Sequence, residues 1–257
     1  MIKLIATDID GTLLTDGRRQ IRPEFFAEAE RLMEKGVIFS TASGRQYHSL
    51  RGLFTPIADR IYYICENGAV IYAPGKDGKI ISKTAIDRNV SLALCREIMS
   101  YPDCELLISG ADMSYVCPKG NDIIDELINR VGNKLTVLSS PEDMPEDFIK
   151  ISARCLSGSV MLNKIMAPEW SDKFSVAVAG ELWLDFTIAD KGSGVKSLCG
   201  HLGISLADTM AFGDNYNDTS MLDIVGHPYI MSGSDSPLLA RYKNHCDCVD
   251  KVLAEIK

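Results

Sequence analysis

Ile2-Lys3-Leu4-Ile5-Ala6-Thr7-Asp8-Ile9-Asp10-Gly11-Thr12, residues 2–12, is the stretch from which the fold can be read. The largely apolar run Ile2 to Ala6 predicts a buried strand, and the acids beyond Thr7 mark where that strand opens into a loop. Side chains two apart on an extended chain point the same way, so Asp8 and Asp10 are expected to converge at the strand's end. Two carboxylates held that close repel each other unless a cation or a proton intervenes. Gly11 then allows a turn that a bulkier residue would resist. The arrangement suits a metal site in which one carboxylate attacks and the other handles protons.

Working outward, strand and helix alternate. Glu24 to Lys35 predicts a helix opened by Pro23 and closed by Gly36. Val37 to Ser40 is a short strand leading into Thr41-Ala42-Ser43-Gly44-Arg45, and a helix follows to about Gly52. Next come a strand over Ile61 to Ile64 and the turn Glu66-Asn67-Gly68. This βαβα order implies a parallel sheet covered by helices, with ligands at the carboxyl ends of the strands.

From about Lys83 the pattern changes. Asn89 to Ser100 reads as a helix, and Glu105–Ser109 with Met113–Cys117 as an antiparallel pair around Gly110-Ala111-Asp112. A helix near Asp122 to Val131, a strand near Phe148 to Ala153 and a helix near Ser157 to Met166 follow. Strands near Phe174–Ala179 and Leu182–Ile188 turn at Gly180-Glu181. The α/β alternation then resumes with helix Gly192–Leu202, strand Thr209–Gly213 and helix Asn217–Ile224. The expected division is therefore an α/β unit from 1–82 and 188–257, interrupted by an α+β unit at 83–187.

Composition narrows the function classes. With 257 residues, 46% of them hydrophobic, the chain can bury a large core, which excludes disorder. A net charge of -8 argues against a general nucleic-acid binder. No apolar run reaches the roughly 18 to 20 residues of a membrane span, and the first residues do not resemble a signal peptide. The eight cysteines are scattered without a CxxC pair, and Cys246-Asp247-Cys248 has no matching second pair. They are expected to be reduced thiols of a cytoplasmic protein.

Four segments carry chemistry, each at the end of an expected core strand or the start of a core helix. Asp8-Ile9-Asp10-Gly11-Thr12 is the first. In the second, the Ser43 hydroxyl and the backbone N–H groups around Gly44 can hold a phosphate, although Ser43 also suits a helix N-cap. Lys191, in Asp190-Lys191-Gly192, sets a cation at a helix start, against the helix dipole, where it can meet an anion. Gly213-Asp214-Asn215-Tyr216-Asn217-Asp218 supplies oxygen ligands for a hard cation, or the capping groups of an ordinary turn. Arg45 reads as a supporting charge and Asn67 as a turn residue.

The motifs DIDGTLL (8–14), TASGR (41–45), ENGA (66–69), KGSGV (191–195) and AFGDNYNDTSML (211–222) stand in the order of the haloacid dehalogenase superfamily. The chain resembles the Cof-like branch of that superfamily, whose type C2B cap falls where residues 83–187 lie. The resemblance implies a Rossmann-like parallel-sheet core with an inserted α+β cap. It further implies a Mg²⁺-dependent phosphatase acting on small phosphorylated metabolites, sugar phosphates or similar phosphomonoesters. Asp8 would be the nucleophile that forms an aspartyl-phosphate, and Asp10 the general acid and base, with a pKa raised by its surroundings.

By the same resemblance Mg²⁺ would sit on Asp8, the Asp10 backbone carbonyl and Asp214, with Asp218 closing the site directly or through water. Ser43, Gly44, Lys191 and Asn217 would attend the phosphoryl group. A phosphotransferase of the phosphomannomutase kind and a non-catalytic ligand-binding module are the alternatives. Nucleic acid and membrane are not expected partners. Arg154, Lys164, Glu181 and Trp183 lie in the insert where a polar leaving group could meet them. Departures from the branch are visible, among them an end, Cys248-Val249-Asp250-Lys251-Val252-Leu253, without the usual Asp-Gly-Val-Ala-like run. Ser43 replaces the commoner Thr, and Gly226 to Gly233 matches the usual glycine-rich stretch only loosely.

Overall fold

β-Strand β1 (Leu4–Thr7) is wholly buried and central, because every one of its side chains is packed on both faces of the sheet. The computed structural model describes residues 1–120, 122–132 and 134–257; the side chains of 130 and 131 are also outside the description. In chain order β1 is followed by α1 (Pro23–Glu34), β2 (Ile38–Ala42), α2 (Tyr47–Leu53), β3 (Tyr62–Cys65), β4 (Val70–Tyr72) and β5 (Ile80–Lys83). Then come α3 (Arg88–Ser100), β6 (Cys104–Ser109), β7 (Ser114–Val116), α4 (Asp122–Asp125), β8 (Leu135–Val137) and β9 (Lys150–Cys155). Helix α5 (Ser159–Trp170), β10 (Ser175–Val178), β11 (Trp183–Thr187), α6 (Lys191–Leu202), β12 (Thr209–Gly213) and α7 (Thr219–Leu222) continue the chain. It ends with β13 (His227–Met231), α8 (Ser236–Arg241), β14 (His245–Cys246) and α9 (Val249–Glu255).

Two units result. The first comprises residues 1–45, 50–82 and 190–257, the second 46–49 and 83–189. In the first, eight strands run in the order β14-β13-β12-β1-β2-β3-β4-β5. β1 pairs in parallel with β2 and β12, β2 with β3, β12 with β13, and β13 with β14. Leu4, Ala6, Ile64, Val195, Leu198 and Met221 belong to one buried cluster of this unit. On α1, Phe25 packs edge-on against Phe39 and Phe54, and Phe54 edge-on against Tyr63. Pro23 opens α1 without costing a backbone hydrogen bond, since the first N–H of a helix has no partner within it.

The parallel α/β core expected from the alternation is present, with two additions. β4 and β5 extend the sheet, β4 antiparallel to β3. Strands of three and four residues are too short to show a period of two. The helix expected over Asn217–Ile224 is a 3₁₀ turn, Tyr216–Asp218, followed by the four residues of α7. The carboxylate of Asp218 is drawn inward there and ends the turn.

The second unit is a six-stranded sheet, β10-β11-β9-β6-β7-β8, with antiparallel pairs except for the parallel β7–β8. Ile151, Ala153, Leu106, Ile108, Leu184 and Phe186 point to one face and share a buried cluster with Leu94 and Ile98 of α3 and Leu162 and Met166 of α5. The alternate positions of β9 and β11 place a buried polar group on the other face. Ser152 Oγ donates to Asp185 Oδ1 at 2.6 Å, and Lys150 Nζ lies 3.5 Å from Asp185 Oδ2. β8 adds a strand to those expected. The helix expected near Asp122 to Val131 starts as α4 and loosens into a π turn over Glu126–Val131.

Candidate active site

Strand register places the key residues. Thr7 lies opposite Thr41 of β2 and Phe212 of β12, and the Asp8 N–H donates to the Phe212 carbonyl at 2.9 Å. Asp8, Ser43 and Asp214, each just past its strand, therefore emerge at the same end of three adjacent parallel strands. That is the edge where open α/β sheets hold ligands.

Lys191 organises the acids there. As the first residue of α6 it is 1% exposed, and its Nζ donates to Asp8 Oδ1 and to Asp218 Oδ1, both at 2.6 Å. The helix start is fixed by a capping box: Asp190 accepts from the Ser193 N–H at 2.7 Å, while the Asp190 N–H donates to Ser193 Oγ at 3.1 Å. A side chain at Gly192 would collide with the Ser220 carbonyl, its Cβ only 2.2 Å away, so glycine lets α6 approach the turn after β12. Asp218 is fully buried, and its second oxygen accepts from the Asp214 and Asn215 N–H groups at 2.9 and 3.0 Å. One carboxylate thus holds both the lysine and the loop that carries Asp214.

Asp214 is steered from the opposite loop. Thr12 Oγ1 donates to Asp214 Oδ1 at 3.1 Å. Gly11 has φ +89°, and a Cβ there would stand 2.2 Å from Asp214 Oδ2. Gly11→Ala combines left-handed strain with that collision, and we expect it to cost about 1–3 kcal/mol by denaturant melt. It should also lower turnover, because Asp214 must move.

The electrostatics follow from crowding. Acceptor oxygens of Asp8, Asp214 and Asp218 lie within 4.8 Å of one another. Burial pushes the Asp8 carboxyl up to about 8, with Asp218 and Asp214 adding to the shift and Lys191 opposing it. Asp214 is also raised, by burial and then by Asp218. Burial pulls Lys191 down, but Asp8 and Asp218 outweigh it and hold the ammonium charged. Three carboxylates around one ammonium leave an excess of negative charge in a set of oxygen donors. That donor set fits a hard divalent cation, with Asp8 and Asp214 as the carboxylates that could hold it. Both oxygens of Asp218 are already committed to Lys191 and the backbone.

A pH dependence follows. A carboxyl whose folded pKa lies above its unfolded one favours folding most at low pH. That contribution is full below the ordinary value of 3.8 and lost as pH climbs through about 8. Metal-free protein should therefore lose stability between about pH 4 and 8 relative to Asp8→Asn, and a divalent cation should flatten the difference. Chemical denaturation at several pH values, with EDTA or Mg²⁺, measures both.

Asp8 and Asp10 take different partners, contrary to the convergence expected from a period of two. Asp8 is buried on Lys191, while the half-exposed Asp10 carboxylate is gripped by Arg45, Nε to Oδ2 at 2.8 Å and Nη2 to Oδ1 at 2.5 Å. The strand has ended by then: the backbone pairs Asp10 with Leu14 and turns at Gly11. Alternation of side chains holds only while the chain stays extended.

Ser43 is buried. Its N–H donates to the Ile64 carbonyl at 3.1 Å, and its Oγ accepts from the Arg45 N–H at 3.2 Å. A Cβ on Gly44 would lie 3.1 Å from Asn67 Oδ1. Asn67 itself has φ +55°, and its N–H donates to the Ser43 carbonyl at 2.9 Å, so the ENGA turn braces the Ser43 loop. Asn217 is exposed on the 3₁₀ turn.

Thr12 and the Arg45–Asp10 pair escaped the sequence reading. Thr12 stands inside the quoted motif, but nothing local ties it to Asp214, 202 positions away. In the second unit, Arg154 and Trp183 both donate to Glu126, at 2.7 and 3.1 Å, while Lys164 and Glu181 are exposed.

Comparison with known proteins identifies the family and the fold. The profile of the haloacid dehalogenase-like hydrolases matches residues 5–252. The 5-amino-6-(5-phospho-D-ribitylamino)uracil phosphatase YbjI of Escherichia coli is 26% identical over 265 residues, covering 98% of this chain and 96% of that one. A crystal structure from Eubacterium rectale superimposes with a TM-score of 0.88 at 30% identity, covering 98% of each chain. The fold is shared as well with the subclass IIB sugar phosphatase BT4131, at TM-score 0.82 and 22% identity over 98% of each chain. No helix among the described residues is long and apolar enough to cross a membrane. A parallel-sheet edge with Asp8 just past its central strand, a lysine-bound acid cluster and a sequence matched almost end to end lead to one assignment. The chain belongs to the haloacid dehalogenase-like hydrolases, in their Cof-like branch, and is an enzyme of the phosphatase kind.

Proposed function

We propose that this protein is a Mg²⁺-dependent phosphatase of small phosphorylated metabolites, sugar phosphates or related phosphomonoesters, working through an aspartyl-phosphate on Asp8. The observation that carries the reading is the buried Lys191 ammonium bridging Asp8 and Asp218 beside Asp214. Lys191 fixes one oxygen of Asp8, orienting the carboxylate for attack on phosphorus, and its charge offsets the repulsion between Asp8 and the arriving phosphate. Asp8 and Asp214 would hold Mg²⁺, with the Asp10 carbonyl. The ion supplies positive charge to the transferring phosphoryl oxygens and lets an anionic nucleophile meet an anionic substrate. Asp218 keeps Lys191 and the Asp214 loop in place from behind. The Ser43 hydroxyl and the backbone at Gly44 meet phosphoryl oxygens at the neighbouring strand end.

Asp10 then delivers a proton to the leaving oxygen and takes one from the water that hydrolyses the aspartyl-phosphate. To do so its carboxylate has to leave Arg45. The second unit is inserted between β5 and α6. The sugar-phosphate reading draws on the relatives: one acts on a phosphorylated ribitylamino compound and another is named a sugar phosphatase.

The test is phosphate release from a panel of phosphorylated metabolites, with and without metal. Turnover should vanish in excess EDTA, return with Mg²⁺ and be suppressed by Ca²⁺, which takes more ligands at longer distances than Mg²⁺. Full turnover in EDTA after metal removal would contradict the reading. Phosphate appearing on an added sugar instead of in solution would favour the phosphotransferase alternative.

A further inference from the structure

The second unit contains a pair of cysteines that the proposed chemistry does not use. Cys104 opens β6 and Cys155 closes β9, and the antiparallel register sets them directly opposite each other. The surrounding hydrogen bonds define the kind of pair. The Leu156 N–H donates to the Asp103 carbonyl at 3.0 Å, whereas the Cys155 N–H goes to Leu182 at 2.8 Å and the Cys104 N–H to Tyr101 at 3.2 Å. The two cysteines exchange no backbone hydrogen bond, so they occupy a narrow pair. In such pairs the Cα atoms lie about 4.5 Å apart and the side chains are closest. Disulfides span Cα separations of about 4.4–6.8 Å. Among the described residues no other two cysteines face each other across paired strands.

The side chains are in place as well. Both sulfur atoms and an Asp103 carboxylate oxygen lie within 4.8 Å of one another. Asp103 Oδ2 accepts from Cys155 Sγ at 3.4 Å and from Ser157 Oγ at 2.5 Å. Both thiols are buried, but Asp103 is only half-buried and Ser157 is exposed, so the cluster opens toward solvent at that edge. The two thiols differ. Cys155 Sγ donates to Asp103 Oδ2 at 3.4 Å, while Cys104 Sγ reaches Asp103 Oδ1 only at 3.9 Å, and hydrogen bonds from Ser157 and Cys155 hold Asp103 below the usual carboxylate range. Burial pushes the Cys104 thiol up, with Cys155 adding to the shift.

We propose that Cys104 and Cys155 form a reversible dithiol–disulfide site, closed by hydrogen peroxide and reopened by a small dithiol. The Cys155 sulfur attacks one peroxide oxygen, its proton passing to Asp103 and on to the leaving hydroxide, which departs as water. Cys155 is then a sulfenic acid. The Cys104 sulfur attacks the Cys155 sulfur, the S–O bond breaks and a second water leaves with the Cys104 proton. Two thiols and one peroxide give one disulfide and two waters. A narrow pair lies within disulfide geometry, so the bond can close and reopen without moving the strands. The link ties the start of β6 to the end of β9, just ahead of α5.

The experiment treats the reduced, folded full chain with hydrogen peroxide, blocks the remaining thiols and maps the cysteine peptides. A Cys104–Cys155 cross-link as the main product is expected, with the intact mass lower by two hydrogens and restored by dithiothreitol. Cys104→Ser should lose the cross-link and leave a sulfenic acid on Cys155 that dimedone captures. The proposal is overturned if the wild-type chain gives a different cysteine pair, oxidises Cys155 without cross-linking, or keeps both thiols under peroxide that oxidises the more exposed Cys248. The wild-type map decides the matter even if the variant folds poorly. It is also independent of whether the phosphatase reading of the other unit holds.

Discussion

Asp8→Asn is expected to lower turnover by at least about a thousandfold while leaving the fold intact. The amide keeps the shape of the carboxylate but has no anionic oxygen to attack phosphorus. Lys191 retains Asp218 at 2.6 Å, so the ammonium stays partnered after the change. One fewer acid in a crowded buried set removes repulsion, and stability without metal should change by less than about 1 kcal/mol or rise. Steady-state phosphate release together with a denaturant melt separates the two effects. Turnover within a few-fold of the wild type would exclude Asp8 as nucleophile.

Lys191→Met is expected to fail in the opposite way, losing both activity and stability. Methionine matches much of the lysine's length, so the change removes the charge more than the volume. Asp8, Asp214 and Asp218 are then left clustered with no ammonium among them, and removing one partner of a buried ion pair costs about 3–5 kcal/mol. A melt in EDTA should show that loss, and Mg²⁺ should recover part of it by binding the acid cluster left without its counter-charge. Turnover should fall roughly a hundredfold or more even in saturating Mg²⁺, since Asp8 loses its orientation and the phosphate its nearest fixed cation. A variant as stable as the wild type in EDTA would mean that the lysine is not the counter-charge of the cluster.

Much of this was legible in the sequence because the parallel core repeats one physical pattern. A buried strand delivers a short polar loop into a helix start, and Asp8, Ser43 and Asp214 each follow a recognisable apolar run. Lys191 stood out because a cation at a helix N-terminus runs against the dipole. What stayed hidden depends on chain geometry beyond neighbouring residues. Asp10 leaves the direction of Asp8 because β1 ends at Thr7 and the chain turns at Gly11, which no count of residues reveals. Its partner Arg45 lies 35 positions away. β4, β5 and β8 are too short to carry a periodic signal, and Asp218 makes a 3₁₀ turn of an expected helix by burying its carboxylate. Cys104 and Cys155 looked like unrelated core thiols, since only strand register sets them face to face.

The central claim is a covalent phosphoryl group on Asp8, and chemical trapping tests it most directly. The enzyme is mixed with Mg²⁺ and its best substrate from the phosphate-release panel, quenched in acid within one turnover, and reduced with borohydride. Reduction converts an aspartyl-phosphate to homoserine and leaves free carboxylates untouched. We expect homoserine at position 8, absent when substrate or Mg²⁺ is omitted and absent in Asp8→Asn. Homoserine at position 10 or 214, or none at position 8 in an enzyme turning over at its full rate, would contradict the account.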